Sequence, residues 1–268
     1  MNNNNIRYAV VYNSRMDNSK TVKDELLNIF CDYNLHVESF DIDRLKSGYD
    51  FIFVIGGDGT ILRTSRFYAG SAAPVFGINL GRLGFLSQCS ANNISNAVNK
   101  IINNKYHTEN RVMLQYEKYT ALNDFVIKSS LSGRTSRFSL KINDKKVCDY
   151  LADGIIISTP TGSTAYGLSA GGPVLTPSLD VFVIVPICPH TLTARPLVIP
   201  DSEKITICGA KDESGYFVSA DGQEFMKVHS EINIHKAENT VKLALLDDSE
   251  FYSVLRDKLH WGTSPAKI

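Results

Sequence analysis

The sequence predicts an α/β domain built on a parallel sheet, followed by a β-rich domain. Three observations carry that expectation. Apolar strand-like runs alternate with segments of helical period up to about residue 105. Beyond it, short strand-like runs follow one another and are separated by turn signals. The composition is that of an ordinary globular chain, 43% hydrophobic and 21% charged over 268 residues, enough for two modest domains.

Ile6 to Tyr12 reads as a buried strand, after an Asn run at residues 2–5 that reads as a solvated tail. Val22, Leu26, Ile29, Phe30 and Tyr33 recur at helical spacing, so a helix is expected from Ser19, a plausible N-cap, to Tyr33. Leu35 to Phe40 reads as a second strand. Phe51 to Ile55 is a solid apolar run ending at Gly56-Gly57, which suits a central parallel strand covered on both faces. A short helix is expected over Ile61 to Tyr68, a strand over Pro74 to Ile78, and a helix marked by Ile94, Val98, Ile101 and Ile102 that closes near Lys105. In the second part, Asn143-Asp144 and Asp221-Gly222 sit between paired apolar runs and read as hairpin turns, because Asn, Asp and Gly tolerate positive φ. The expected divisions are 1–105, 106–245 and a tail, 246–268, whose segment Phe251 to Trp261 packs back on a domain.

Charge and composition exclude some classes. Lys+Arg 28 balances Asp+Glu 28 for a net charge of +0, so the basic excess of a nucleic-acid binder is missing. Cys31, Cys89, Cys148, Cys188 and Cys208 form no C-x-x-C pair, which fits reduced thiols in a cytoplasmic protein and argues against zinc. None of the six histidines pairs at metal-ligand spacing, and no apolar stretch has the length of a membrane span. A soluble cytoplasmic chain without a protein-held metal, nucleic acid or membrane is expected.

Four segments carry the chemistry. In Gly56-Gly57-Asp58-Gly59-Thr60 a buried strand ends in glycines and opens a helix. Glycine lets backbone approach a ligand, and helix N-terminal amides suit phosphate. Asp58 is out of place beside phosphates. Either it caps the following helix, a role Thr60 could also fill, or it accepts a hydrogen bond from an attacking hydroxyl. Asp153-Gly154 leads through a strand into Ser158-Thr-Pro-Thr161-Gly-Ser-Thr164-Ala165-Tyr166, a hydroxyl-rich loop with one aromatic face, better suited to a nucleoside than to bare phosphate. The alternative is an ordinary Ser/Thr turn. In Ala121-Leu-Asn123-Asp124-Phe-Val126 an amide and a carboxylate interrupt an apolar strand. Adjacent strand residues face opposite ways, so both reach one ligand only at a bulge, a bend or a strand end; a hairpin turn is the alternative. Gly77-Ile-Asn79-Leu-Gly81-Arg82-Leu-Gly84-Phe85-Leu86 is glycine-rich without the dinucleotide spacing, and Arg82 is its candidate for pairing phosphate.

Taken together, Gly56-Gly-Asp-Gly-Thr60, Asn79-x-Gly-x-Leu-Gly-Phe85, Asn123-Asp124 and Asp153-Gly154 running into Ser158–Tyr166 resemble the NAD kinase family. Ala170-Gly-Gly-Pro173, Pro186 to Leu192, Arg195-Pro196 and Asp221-Gly-Gln223 extend the resemblance in order. It implies a Rossmann-like N-terminal domain, a β-sandwich-like C-terminal domain and a tail returning to the first. It implies ATP- and Mg²⁺-dependent phosphorylation of the 2′-hydroxyl of NAD's adenosine ribose, by a homodimer or homotetramer. Asp58 would be the catalytic carboxylate, orienting the hydroxyl and taking its proton late, and Gly59 would lie beside the substrate. Asn123 and Asp124 would meet ribose hydroxyls, although the family usually has Asn-Glu there. Thr161, Thr164, Ala165 and Tyr166 would surround adenine, Phe85 would line the pocket, and Asp153 would contact NAD near a subunit boundary. Gly56, Gly57, Thr60 and Arg82 would serve the phosphate donor, and Mg²⁺ would arrive with ATP. Two rivals share parts of the pattern. A lipid kinase carries the first motif without needing the 153–166 loop. A non-catalytic NADP sensor would be marked by loss of the carboxylate that this chain keeps at Asp58.

Overall fold

The computed structural model describes residues 6–81, 84–130, 135–191, 193–209, 215–246 and 251–260. The Asn tail, Arg82, Leu192 and Trp261 lie outside these. The chain forms two compact units, residues 1–110 with 241–268, and residues 111–240.

The first unit alternates strand and helix as expected. Its elements are β1 (Tyr8–Tyr12), α1 (Ser19–Asp32), β2 (Val37–Asp41), β3 (Phe51–Ile55), α2 (Asp58–Phe67), β4 (Val75–Asn79), β5 (Ser87–Ser90), α3 (Ile94–Ile102) and β6 (His107–Arg111). The second unit follows with β7 (Leu114–Tyr116), β8 (Tyr119–Ala121), β9 (Asp124–Ser129), β10 (Ser136–Ile142), β11 (Lys145–Ala152), β12 (Gly154–Ser158), α4 (Tyr166–Ser169), β13 (Val181–Ile187), β14 (Leu197–Pro200), β15 (Ile205–Gly209), β16 (Tyr216–Ala220), β17 (Glu224–Val228) and β18 (Ile232–Lys236). The chain then re-enters the first unit as β19 (Val241–Leu245) and α5 (Phe251–Leu259).

The first sheet runs β2-β1-β3-β4-β19-β6, with β5 on β4. The pairs β1/β2, β1/β3, β3/β4, β4/β5 and β4/β19 are parallel. All five residues of β3 are buried, as its unbroken apolar run requires. Phe53 meets the α1 residue Phe30 edge-on, ring centroids 5.4 Å apart. This central strand delivers Gly56-Gly57 to the carboxyl end of the sheet, where open α/β sheets bind ligands.

Two local expectations fail. The cap of α1 is Asn18, with φ 62°, while Ser19 is the first helical residue and is buried. Asn tolerates the left-handed region, so the backbone turns one residue earlier than a serine cap would place it. Helix α2 begins at Asp58, not Ile61; the glycines before its first apolar residue hide the opening turn.

The second unit is two six-stranded antiparallel sheets, β11-β10-β15-β18-β7-β8 and β14-β13-β12-β9-β16-β17. Phe138 and Leu140 of the first and Phe125, Ile127, Ile155, Ile157, Phe182 and Ile184 of the second fill one shared core, a β-sandwich. The alternate residues Val126, Ile156, Val183 and Val185 make a smaller cluster on the outer face of the second sheet with Leu175. Strands β9, β12 and β13 are therefore covered on both faces, and they read as continuous apolar runs rather than alternating ones. Both expected hairpins form, with positive φ at Asn143 (48°), Asp144 (63°), Asp221 (53°) and Gly222 (62°).

Candidate functional site

In the first unit, Gly57 holds the N-cap position of α2 in extended backbone, and no side chain caps the helix. Neither Asp58 nor Thr60 is the cap. The Thr60 side chain is buried: its Oγ1 accepts from Asn13 Nδ2 at 3.5 Å and donates to Met16 Sδ at 3.8 Å. Thr60 also explains Gly56, where an added Cβ would lie 2.6 Å from the Thr60 Cβ. Gly59 is exposed.

Asp58 reaches instead to the segment after β4. The Phe85 N–H donates to its Oδ2 at 2.9 Å. Gly84 lies directly beneath the carboxylate: a Cβ there would fall 1.8 Å from Oδ1 and 2.3 Å from Cγ. The segment itself is fixed by Ser87, whose Oγ accepts from the Gly84 N–H at 2.7 Å and from Asn79 Nδ2 at 3.3 Å. Oδ1 of Asp58 is buried and has no hydrogen-bond partner among the described residues. A buried carboxylate oxygen without a donor is costly, and such a group in a native fold asks for an explanation. Phe85 is half-buried in this segment.

In the second unit, Leu122 and Asn123 form the corner at which the chain leaves β8 in one sheet and enters β9 in the other. The segment is a bend at a strand end, not a hairpin, so Asn123 and Asp124 line one pocket despite being neighbours. The corner is tightly held. The Thr159 N–H and Ser158 Oγ both donate to the Asn123 carbonyl, at 2.9 and 3.1 Å. Thr159 Oγ1 donates to the Leu122 carbonyl at 2.6 Å. Gly162 is pressed so close that an added Cβ would lie 2.1 Å from the Asn123 oxygen.

The hydroxyl-rich loop is a 3-10 turn over Thr161–Thr164, and its hydroxyls bond within the chain. Ser163 Oγ donates to the Pro160 carbonyl at 2.7 Å and accepts from the Leu175 N–H at 3.0 Å. Thr161 Oγ1 accepts from Arg111 Nη1 at 3.3 Å, and Thr164 Oγ1 donates to the Thr161 carbonyl at 3.3 Å. The loop's polarity therefore builds its own shape, and what it presents to the pocket is Ala165 and Tyr166. Thr161 and Thr164 do not line that pocket, nor does Asp153, which is exposed between β11 and β12.

The pocket has a volume of about 420 Å³, of nucleoside size. Asn123, Asp124 and Asp221 supply its polar rim, and Tyr166, Phe217 and Phe225 its aromatic walls. Lys128 Nζ stands 5.4 Å from the Tyr166 ring centroid. Asp124 is 4% exposed. Burial, and then the negative charge of Asp221, push its carboxyl up to about 7.

Sequence reasoning did not find Phe217, Phe225, Lys128 or the second role of Asp221. The two phenylalanines had a usable signal: they are large apolar residues on the exposed face of a hairpin, Phe225 being 73% exposed.

Comparison with known proteins gives a consistent result. The profile described as ATP-NAD kinase N-terminal domain matches residues 3–106, and that described as ATP-NAD kinase C-terminal domain matches residues 122–246. The chain is 38% identical to the NAD kinase of Chloroherpeton thalassium over 84% of this chain and 82% of that one. It is 34% identical to the NAD kinase of Caldanaerobacter subterraneus subsp. tengcongensis, over 94% of this chain and 98% of that one. Among solved structures, an NAD kinase from Archaeoglobus fulgidus in complex with ATP superposes with a TM-score of 0.80 at 29% identity, covering 95% of this chain and 99% of that one. Yeast NADH kinase complexed with NADH shares the fold, with a TM-score of 0.83 at 22% identity, over 97% and 89% of the two chains.

Proposed function

The chain belongs to the ATP-NAD kinase family, and from that premise we propose how its residues divide the work of phosphorylating NAD to NADP. The observation that carries the assignment is the Asp58 carboxylate, with Oδ2 tied to the Phe85 amide and Oδ1 buried without a donor. A substrate hydroxyl supplies the donor that Oδ1 lacks. The acceptor's 2′-hydroxyl oxygen attacks the γ-phosphorus of ATP, the bond from that phosphorus to the β–γ bridging oxygen breaks, and Asp58 receives the hydroxyl proton. Phosphoryl transfer has a loose transition state that asks little of the nucleophile, so the proton moves late. The carboxylate's main task is to orient the hydroxyl.

The glycines at 56, 57 and 59 and the opening amides of α2 suit the donor's phosphates. Among the described residues no three His, Cys, Asp or Glu side chains cluster as a metal site. In this reading the divalent ion comes bound to the nucleotide, where Mg²⁺ would neutralise phosphate charge. Asn123 and Asp124 take the ribose hydroxyls, with Ala165 and Tyr166 against the base. Phe85, Thr161, Thr164 and Arg82 complete the assignment by family pattern, Thr161 and Thr164 by shaping the loop. Asp153, exposed on the second unit, suits a contact contributed to a neighbouring copy in a homo-oligomer. No helix of the described residues is long and apolar enough to cross a membrane. The cytoplasmic reading is supported by the five cysteines, all free thiols.

A coupled assay of NADP formation from NAD, ATP and Mg²⁺ tests the scheme. Asp58→Asn should lower turnover roughly 10²–10⁴-fold, the usual worth of a positioned general base, with NAD binding retained. Undiminished turnover removes Asp58 from the mechanism.

A further inference from the structure

Asp221 sits in the β16–β17 hairpin turn, where its type is explained by its positive φ of 53°. Turn chemistry does not explain what its carboxylate does. Oδ2 accepts the Leu122 N–H at 3.0 Å, and Oδ1 accepts those of Asn123 at 2.7 Å and Asp124 at 3.1 Å. Its own N–H donates to the Asp124 carbonyl at 2.9 Å. One residue therefore fastens the whole corner through four hydrogen bonds, three of them to an ionised acceptor and so stronger than neutral ones. An amide could not replace it: asparagine has one accepting oxygen, and its NH₂ would face a backbone N–H.

We propose that Asp221 is a positioning residue for the acceptor nucleoside, setting Asn123 and Asp124 against NAD through the main-chain amides of 122–124. The proposal rests on the reading that NAD's ribose sits at Asn123 and Asp124. It goes further in giving the turn a part in acceptor recognition. It also gives Asp124 a defined state. Ser158 of β12 pairs with Asp124 across the sheet, and the pocket that Asp124 lines is completed by Ser219 of β16, Tyr166 of α4, Phe225 of β17, Lys128 further along β9 and Asp221 of the turn. Burial, the larger cause, and then the charge of Asp221 raise the Asp124 carboxyl. Near neutrality a large share of Asp124 therefore keeps its proton and donates a hydrogen bond to an acceptor oxygen on the nucleoside.

The experiment compares Asp221→Asn with wild type in steady-state kinetics for both substrates across pH 5.5 to 9. The KM for NAD should rise about 10-fold or more, with the KM for ATP unchanged. The alkaline limb of kcat/KM for NAD should move to lower pH, because the charge that favours protonated Asp124 is gone. A purely structural role would not move that limb. A folded variant with unchanged KM for NAD and an unmoved limb overturns the proposal. Hydrogen exchange on the unmodified protein gives a second reading should the variant not fold. The amides of residues 122–124 should exchange at least about 10³-fold slower than unprotected amides, and fast exchange overturns the proposal too. Asn123→Ala separates the two layers: if it leaves the KM for NAD unchanged, the nucleoside site itself is misassigned. If it raises that KM while Asp221→Asn does not, the positioning role alone fails.

Discussion

Gly84→Ala is the most direct test of the Asp58 assignment, because it moves the carboxylate without altering its chemistry. The alanine Cβ would lie 1.8 Å from Oδ1, 2.3 Å from Cγ and 2.4 Å from Oδ2 of Asp58. Non-bonded carbon contacts settle near 3.5–4.0 Å, so the carboxylate or the segment must retreat by roughly 1.5 Å. The segment is not free to yield, being fixed by Ser87 Oγ on the Gly84 N–H at 2.7 Å. A misplacement of about 1 Å at a reacting group costs roughly 10²-fold, so kcat for NADP formation should fall by about that factor or more. The KM for NAD should change less than kcat, since Asn123, Asp124, Ala165 and Tyr166, assigned to the ribose and base, are untouched. The assay is steady-state kinetics on purified variant and wild type, with thermal melts to confirm that both fold. A folded Gly84→Ala enzyme with kcat within about threefold of wild type would refute the claim that Asp58 acts from the position it occupies here.

Three further outcomes follow from the same geometry. Gly162→Ala places a Cβ 2.1 Å from the Asn123 oxygen and 2.5 Å from its Cα, so it should raise the KM for NAD by roughly 10-fold or more; an unchanged KM removes the corner from acceptor binding. Gly57→Ala meets little but Met16 Cε, at 3.9 Å, so Asp58 should stay in place and any loss should appear in the KM for ATP; a loss confined to kcat argues against a donor-phosphate role. Asp124→Asn should flatten the pH dependence of stability. The folded-state value of about 7 lies above the ordinary carboxylate value of about 4, so folding is favoured below about 4 and that contribution is lost as pH rises through 7, by at most roughly 4 kcal/mol. Urea titrations at pH 5 and pH 8 measure it, and a wild-type slope that persists in the variant would show that Asp124 does not titrate this way.

Much of the architecture is legible in the sequence because local signals and tertiary context agree there. The apolar run Phe51–Ile55 gives β3 its bounds, as glycines follow at once and a parallel central strand needs no polar face. Asn143-Asp144 and Asp221-Gly222 form the hairpins expected of them. The first turn of α2 is not legible, because Asp-Gly-Thr has poor helix propensity and only the backbone reveals where the ladder starts. The hydroxyl loop shows the same limit on the side of function. Its composition suggests ligand contacts, yet the partners of Ser163 and Thr161 are Leu175 and Arg111, remote in sequence, and pattern reasoning has no access to them. Asp221 is the extreme case, clamping residues 97 to 99 positions away.

The glycines that matter most share a physical logic that their motifs do not state. At Gly84 and at Gly162 the missing methyl is the space occupied by a functional group, the Asp58 carboxylate in one unit and the Asn123 backbone in the other. Neither has positive φ, so conformational freedom does not explain them; close approach does. Such contacts hold a group on one side by hard repulsion and on the other by hydrogen bonds, from Phe85 N–H to Asp58 and from Thr159 N–H and Ser158 Oγ to the Asn123 carbonyl. Repulsion is steep, so this arrangement fixes position more tightly than hydrogen bonds alone, whose geometry is broad. For a reaction whose rate depends chiefly on alignment, substitutions at these glycines should damage catalysis out of proportion to their effect on stability. Equal losses in both would mean that the glycines serve packing alone.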